Sequence, residues 1–234
     1  MKTLSPLSAD AAFALAFCTL QPPPPKPASL LVLLHGVGGN ESNLATLGAA
    51  AGKDTLVVLP RGPIRLGPEA FGWFRVAFTG NGPQIVASEA DASRRALIDF
   101  IGQLQQAHGV DPAHTVVAGF SQGGILSASV ALTAPERVAA FAVLAGRILP
   151  EIEPWLTDAQ HLAALRGYIA HGTHDDKLPV SWAQRASDWL DRLGVEHLTK
   201  LYPAGHELAA AMRADFLAWL AQGDQHWNQP GAAQ

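Results

Sequence analysis

Thr115-Val116-Val117-Ala118-Gly119-Phe120-Ser121-Gln122-Gly123-Gly124-Ile125-Leu126 is the stretch on which the reading of this chain turns. Its first four residues are short, β-branched and apolar, as a fully buried strand requires. Gly124 to Leu132 continues as a helix with few polar faces. Between them, Gly119-Phe120-Ser121-Gln122-Gly123 places a Gly-x-Ser-x-Gly on a strand-to-helix turn, the pattern of a nucleophile elbow. The glycines answer a steric need. A turn that throws a serine clear of a sheet in a strained backbone leaves no room for side chains two positions either side.

The bulk composition agrees with a buried, two-sided sheet. Of 234 residues 48% are hydrophobic and only 15% charged. That length suits one domain over residues 1–234 with a core that needs no staples. A formal charge of −4 and the lack of any Lys/Arg run give no footprint for nucleic acid. A single cysteine, Cys18, excludes an internal disulfide and suits the cytoplasm. Ala11 to Leu20 is apolar behind Lys2, but Asp10 and the absence of a small-x-small site argue against a secretory leader. No run approaches the roughly 20 apolar residues that span a bilayer.

Outward from the elbow, strands and helices alternate. Phe13 to Leu20 reads as one or two edge strands (within 11–27), followed by a stiff connector with five prolines in Gln21 to Pro27. Ser29 to Leu34 is a continuous apolar strand leading into His35-Gly36-Val37-Gly38-Gly39-Asn40, with a helix expected from Glu41 or Ser42. Asp54 to Leu59 is a further buried strand. Arg61 to Gln84 holds five glycines and three prolines around Phe71-Gly72-Trp73-Phe74, and a loop so long with an aromatic centre is expected to lie over a site. Val86, Ala90, Leu97, Ile101, Leu104 and His108 form a helical stripe stopped by Gly109. Later strands are expected at Phe141 to Leu144, Gly167 to Ala170 and Glu196 to Tyr202. Later helices are expected along Trp182, Ala186, Trp189 and Leu193, and along Leu208, Met212, Phe216, Trp219 and Leu220, with a frayed tail over 222–234. Such alternation demands a mostly parallel sheet with helices on both faces, whose ligands bind beyond the carboxyl ends of the strands.

A serine hydroxyl attacks only when a base removes its proton, and that base needs a carboxylate to fix its tautomer. His206, in Ala204-Gly205-His206-Glu207, follows the last strand and is the expected base. His35 and His171 read as packing and hydrogen-bonding residues, His174 as rim, and His108, His114, His161, His197 and His226 as solvated. Asp175 is preferred over Asp176 as the acid, with Asp158 an outside candidate and Asp188 and Asp191 facing out from a helix. The N–H of Gln122, at a helix N-terminus, and that of Val37, in the Gly-rich turn, are the expected oxyanion donors. That turn lacks the spacing of a phosphate loop. His171, His174, Asp175 and Asp176 are better used by a Ser–Asp–His reading than by a metal, so neither metal nor cofactor is expected.

With Leu34-His35-Gly36-Val37-Gly38-Gly39, Gly119-Phe120-Ser121-Gln122-Gly123-Gly124, His171-Gly172-Thr173-His174-Asp175 and Gly205-His206-Glu207 in this order, the chain resembles the carboxylesterase/phospholipase family of α/β-hydrolases, which includes the acyl-protein thioesterases. The resemblance runs from about residue 28 to 220 and implies an α/β-hydrolase fold without a large cap domain. It implies Ser121 as nucleophile, Asp175 and His206 as its partners, and the Val37 and Gln122 amides as the oxyanion hole. It also implies that Trp73 and Phe74 line an acyl pocket, and that the substrate is a small carboxylic ester or thioester of short to medium chain. Asp176-Lys177-Leu178-Pro179 and Ala145-Gly146-Arg147 depart from the family's usual Pro-Val-Val-Pro and Ser-Gly. Arg147 is expected to pair with Glu151 in preference to meeting an anionic group of the substrate. The nearest alternatives are an enzyme like the dienelactone hydrolases, which usually carry cysteine where this chain has Ser121, and a binding protein on the same fold. Exposed Trp and Phe around the pocket would serve a homodimer as well as a ligand.

Overall fold

The computed structural model describes residues 2–79 and 82–227. Its elements in chain order are β1 (Thr3–Leu4), β2 (Phe17–Gln21), β3 (Ser29–Leu34), α1 (Ala45–Ala49), β4 (Thr55–Pro60), β5 (Ile64–Arg65), β6 (Phe71–Gly72), β7 (Val76–Thr79), β8 (Gly82–Ile85) and α2 (Ala87–His108). After these come β9 (Thr115–Phe120), α3 (Gln122–Thr133), β10 (Ala140–Leu144), α4 (Ala159–Leu162), β11 (Arg166–Gly172), α5 (Ser181–Leu193), β12 (Glu196–Tyr202) and α6 (Ala210–Trp227). Eight strands form one sheet in the order β1-β2-β4-β3-β9-β10-β11-β12, parallel from β4 to β12, with β1 and β2 added antiparallel.

Both faces of this sheet are covered, which is why β3 and β4 are apolar without alternation and buried at every position. Leu30, Val32 and Leu34 of β3 point to the layer holding Leu97 and Phe100 of α2, Leu126 of α3 and Leu190 of α5. Leu31 and Leu33 point the other way, to Leu47 of α1 and to Phe216 and Trp219 of α6. The two-residue period of the strand divides one apolar run between two cores. Helix α3, sandwiched between sheet and α2, is buried from Gln122 through Leu132. Its Ser127 and Ser129 hydroxyls donate back to Gly123 and Ile125 carbonyls at 2.9 Å, so neither is left unpaired. Among the described residues no helix is long and apolar enough to cross a membrane.

Several boundaries differ from expectation, each for a local reason. Only Phe17–Gln21 of the Phe13–Leu20 segment is strand. The Phe13 ring instead packs edge-on against Phe17 and Phe100. The outermost strand, Thr3–Leu4, is too short to carry a period. The helix expected from Glu41 begins at Ala45. There the Asn43 side chain accepts from the Asn40 amide at 2.7 Å, and Asn40 from the Ser42 amide at 3.0 Å, offering the backbone an alternative to helix. Arg61 to Gln84 is not a bare loop: β5 pairs with β6 and β7 with β8 as two small antiparallel hairpins. Val86, just before α2, and His108, its last residue, lie at the exposed ends of a stripe completed by Phe100, and Gly109 caps the helix at φ 65°. Helix α5 buries Ala183, Ala186 and Leu190, leaving Trp182 and Trp189 half-buried. Leu208 precedes α6, which continues to Trp227, past Gln222 where fraying was expected; 228–234 lie outside the described residues.

Candidate active site

Every parallel strand from β4 to β12 delivers a loop to the same rim of the sheet. At the end of β9, Ser121 adopts φ 53°, ψ −116°, a conformation that costs a non-glycine residue of order 1–3 kcal/mol. The surroundings enforce it. The Ser121 amide donates to the Leu144 carbonyl at 2.8 Å, and the Ser121 carbonyl accepts from Ile125 at 3.0 Å. A Cβ at Gly119 would stand 2.3 Å from the Gly123 carbonyl carbon, and one at Gly123 would stand 2.0 Å from the Leu34 oxygen. The elbow therefore exists only because both positions lack side chains.

The other two members come from the ends of β11 and β12, which are laced together. Amides of Thr173 and His174 donate to the carbonyls of Tyr202 and Ala204 at 2.7 and 3.0 Å. Buried His171 donates from Nε2 to the Leu178 carbonyl at 2.7 Å and closes the intervening loop. Within that loop Asp175 has a fully buried side chain. Its Oδ1 accepts the amides of Lys177 and Leu178 at 2.9 and 2.8 Å, and its Oδ2 accepts His206 Nδ1–H at 2.7 Å. His206 Nε2 then accepts the Ser121 hydroxyl at 2.9 Å. Side chains 31 and 85 residues from His206 are thus joined in one hydrogen-bonded relay. The competing carboxylates lie elsewhere. Asp176 is exposed beside Lys177, Asp158 caps α4 and holds His161, and Asp188 and Asp191 face solvent. Of the histidines expected to be solvated, His108 and His161 are exposed and His114 is half-buried, and the His226 side chain lies outside what is described. The His197 ring is packed between Ser187 (2.8 Å) and the Val195 carbonyl (3.0 Å).

Val37 and Gln122 flank this relay. The amides of Gly38 and Gly39 are engaged by the carbonyls of Phe71 and Gly36, at 2.8 and 3.1 Å, whereas that of Val37 makes neither bond. The Gln122 amide opens α3, where the first N–H groups have no acceptor within the helix. Both residues border a cavity of about 280 Å³ that also contains Ser121 and His206. Its walls are mostly apolar: Phe74, Val76, Ile85, Ile125 and Leu178. Of the two hairpins after β4, β7–β8 thus does overhang the site, through Val76, Pro83 and Ile85, whereas no residue of β5 or β6 lines the cavity.

Trp73 is a correction. It does not line the cavity but is fully buried behind it, donating from Nε1 to the His35 carbonyl at 2.9 Å. Its neighbour Phe74, also buried, does form a wall, so these two aromatics offer no exposed surface to a second copy of the chain. The residue that arranges them is Gln122, whose side chain accepts the Trp73 amide at 2.6 Å and donates to the Phe74 carbonyl at 2.7 Å. Its position inside the elbow motif hid this second use. His35 supports the Gly-rich turn from below: its Nδ1–H donates to Gly36 O at 2.7 Å and its Nε2 accepts the Gly62 amide at 2.9 Å. Burial holds its pKa below the ordinary value, in keeping with a neutral ring that must accept.

Arg147 is the second correction. It makes no ion pair with Glu151 or with any other described residue; Glu151 acts on it only through longer-range attraction. Its guanidinium lies over the Trp182 ring, 4.6 Å from the centroid, and it borders the cavity. No group of three or more His, Cys, Asp or Glu side chains among the described residues is placed to hold a metal ion.

The chain is similar to known proteins in sequence and in fold. A model of the phospholipase/carboxylesterase family matches residues 17–222. The chain is 22% identical over 192 residues to an acyl-protein thioesterase 1 of Emericella nidulans, covering 74% of this chain and 80% of that protein. It is 26% identical to a putative hydrolase, MhqD, of Bacillus subtilis, over 77% of this chain and 86% of that one. In three dimensions it is similar to a carboxylesterase from Mesorhizobium loti, with a TM-score of 0.78 and 27% identity over 93% of this chain and 98% of that structure. With a family model spanning most of its length and a carboxylesterase of nearly the same extent superposing on its sheet, the chain belongs to the phospholipase/carboxylesterase family of α/β-hydrolases.

Proposed function

We propose that this protein hydrolyses carboxylic esters and thioesters of short to medium acyl chain through an acyl-enzyme formed on Ser121. The observation that carries the reading is the unbroken relay from Asp175 through His206 to the Ser121 hydroxyl, with links of 2.7 and 2.9 Å. As Ser121 Oγ attacks the carbonyl carbon, His206 Nε2 takes its proton, and buried Asp175 steadies the imidazolium that forms. The tetrahedral oxyanion meets the N–H groups of Val37 and Gln122, the second backed by the positive end of α3. His206 then gives its proton to the departing alcohol or thiol. Water, activated by the same imidazole, releases the acid and frees Ser121. The apolar walls around Phe74 and Ile125 suit the hydrocarbon part of an acyl group. No cofactor enters the scheme. A single buried cysteine, Cys18, suits a cytoplasmic setting.

Ser121→Ala is expected to abolish turnover of p-nitrophenyl acetate with an unchanged melting temperature, and a fluorophosphonate probe is expected to label the wild-type chain and not this variant. A protein that only binds on this fold would give neither turnover nor label.

A further inference from the structure

Among the residues around the cavity, Arg147 stands out chemically. It is 6% exposed, and five guanidinium donors so deeply placed ordinarily require acceptors. Among the described residues it has none: its one close partner is the face of Trp182, which attracts the cation but neither neutralises it nor accepts a directed hydrogen bond. Among the described residues no carboxylate borders the cavity: Glu151 is exposed and outside it, and Asp175 is engaged by His206 and two amides. The backbone directs Arg147 there. Ala145, at the end of β10, sits at φ 52° with its amide bonded to the Ala170 carbonyl, turning the chain back over the elbow. Gly146 follows so closely that a Cβ on it would lie 2.9 Å from the Ser121 carbonyl oxygen. Arg147 therefore enters the site on the residue next to the one touching the nucleophile. A second cation, Lys177, borders the mouth, but it is more than half exposed and lies 3.4 Å from Asp176.

We infer that the cavity selects esters bearing a carboxylate, which Arg147 receives in its bidentate fork while Ser121 attacks the ester group. This deepens the hydrolase reading above and rests on it. A carboxylate is favoured over a phosphate because one buried cation neutralises one charge, and the apolar walls leave few other donors for a dianion. The anionic group can reside on the acyl or on the alcohol side of the ester, and paired substrates separate the two. On the acyl side, p-nitrophenyl hemiglutarate is compared with its neutral methyl ester. On the alcohol side, 4-acetoxybenzoate is compared with methyl 4-acetoxybenzoate.

The readout is the ratio of kcat/KM for the charged to the neutral member of each pair. In at least one pair the wild-type ratio is expected to fall roughly ten- to a hundred-fold in Arg147→Met, as the loss of a charge-assisted hydrogen bond predicts. Arg147→Lys should recover part of the ratio, since it keeps the charge and loses the fork. Lys177→Gln should lower it by less than three-fold, as expected of an exposed charge. Taking ratios within one variant removes general damage to folding or to the catalytic relay. A ratio equal in wild type and Arg147→Met for both pairs overturns the proposal. If the wild type turns over none of the four substrates and no p-nitrophenyl acetate, the hydrolase reading fails separately. Calorimetric binding of the hemiglutarate to Ser121→Ala then decides this one: binding lost in Ser121→Ala/Arg147→Met upholds it, and no binding to either overturns it.

Discussion

Ser121 and Asp175 are each held in place by atoms outside the relay that they share with His206. Asp175 Oδ1 is held by two loop amides, while Oδ2, with His171 Nε2 also 3.3 Å away, fixes the His206 tautomer with Nδ1 protonated and Nε2 facing the hydroxyl. Asp175→Asn keeps the shape and the loop contacts but loses the charge that, in the proposed mechanism, stabilises the imidazolium. It is expected to lower kcat by about three to four orders of magnitude with little change in KM, measured on p-nitrophenyl acetate. Because the relay acts as a unit, the double variant Asp175→Asn/His206→Gln should lose little beyond the worse single one. Multiplying losses would mean that the two act independently.

Where elements meet, the decisive contact is that of α3 with β3. The first turn of the helix approaches the Leu34 and His35 carbonyls so closely that Gly123 has no space for a methyl group. The obstacle is backbone, so no rotamer change relieves it. Gly123→Ala is expected to destabilise the fold by roughly 3 kcal/mol, the upper range for overpacking, and to displace Ser121 from His206. Urea unfolding and fluorophosphonate labelling would record the two effects. The same approach explains why Gln122 can reach the segment between the hairpins: its side chain clamps Trp73 and Phe74 onto the elbow, tying the Phe74 wall of the pocket to the residue next to Ser121.

Taken whole, the molecule is a sheet closed on both faces whose active rim rests on a buried, neutral histidine. The unfolded chain takes up a proton at His35 near the ordinary value of 6.5, while burial makes the folded chain resist it. Stability is therefore full above that pH and declines as pH falls below it, by at most about 1.4 kcal/mol per pH unit from this one group. Urea midpoints for wild type and His35→Gln between about pH 7 and pH 5 should show a shallower decline in the variant. The parallel architecture, the elbow and the order of Ser121, Asp175 and His206 were readable in the sequence because each has a local signature: an apolar run, glycines at fixed offsets, a histidine or carboxylate just past a strand. The strands Ser29–Leu34 and Glu196–Tyr202 are found where the pattern put them. What the sequence by itself determined, then, is which residues stand at the rim, since period and turn chemistry act over a few positions. Only the tertiary structure decided what each one faces. Trp73 turned behind the pocket, His197 was drawn under Ser187, and Arg147 went to the cavity instead of Glu151. Those outcomes depend on the packing of loops distant in the chain, and no local pattern encodes it.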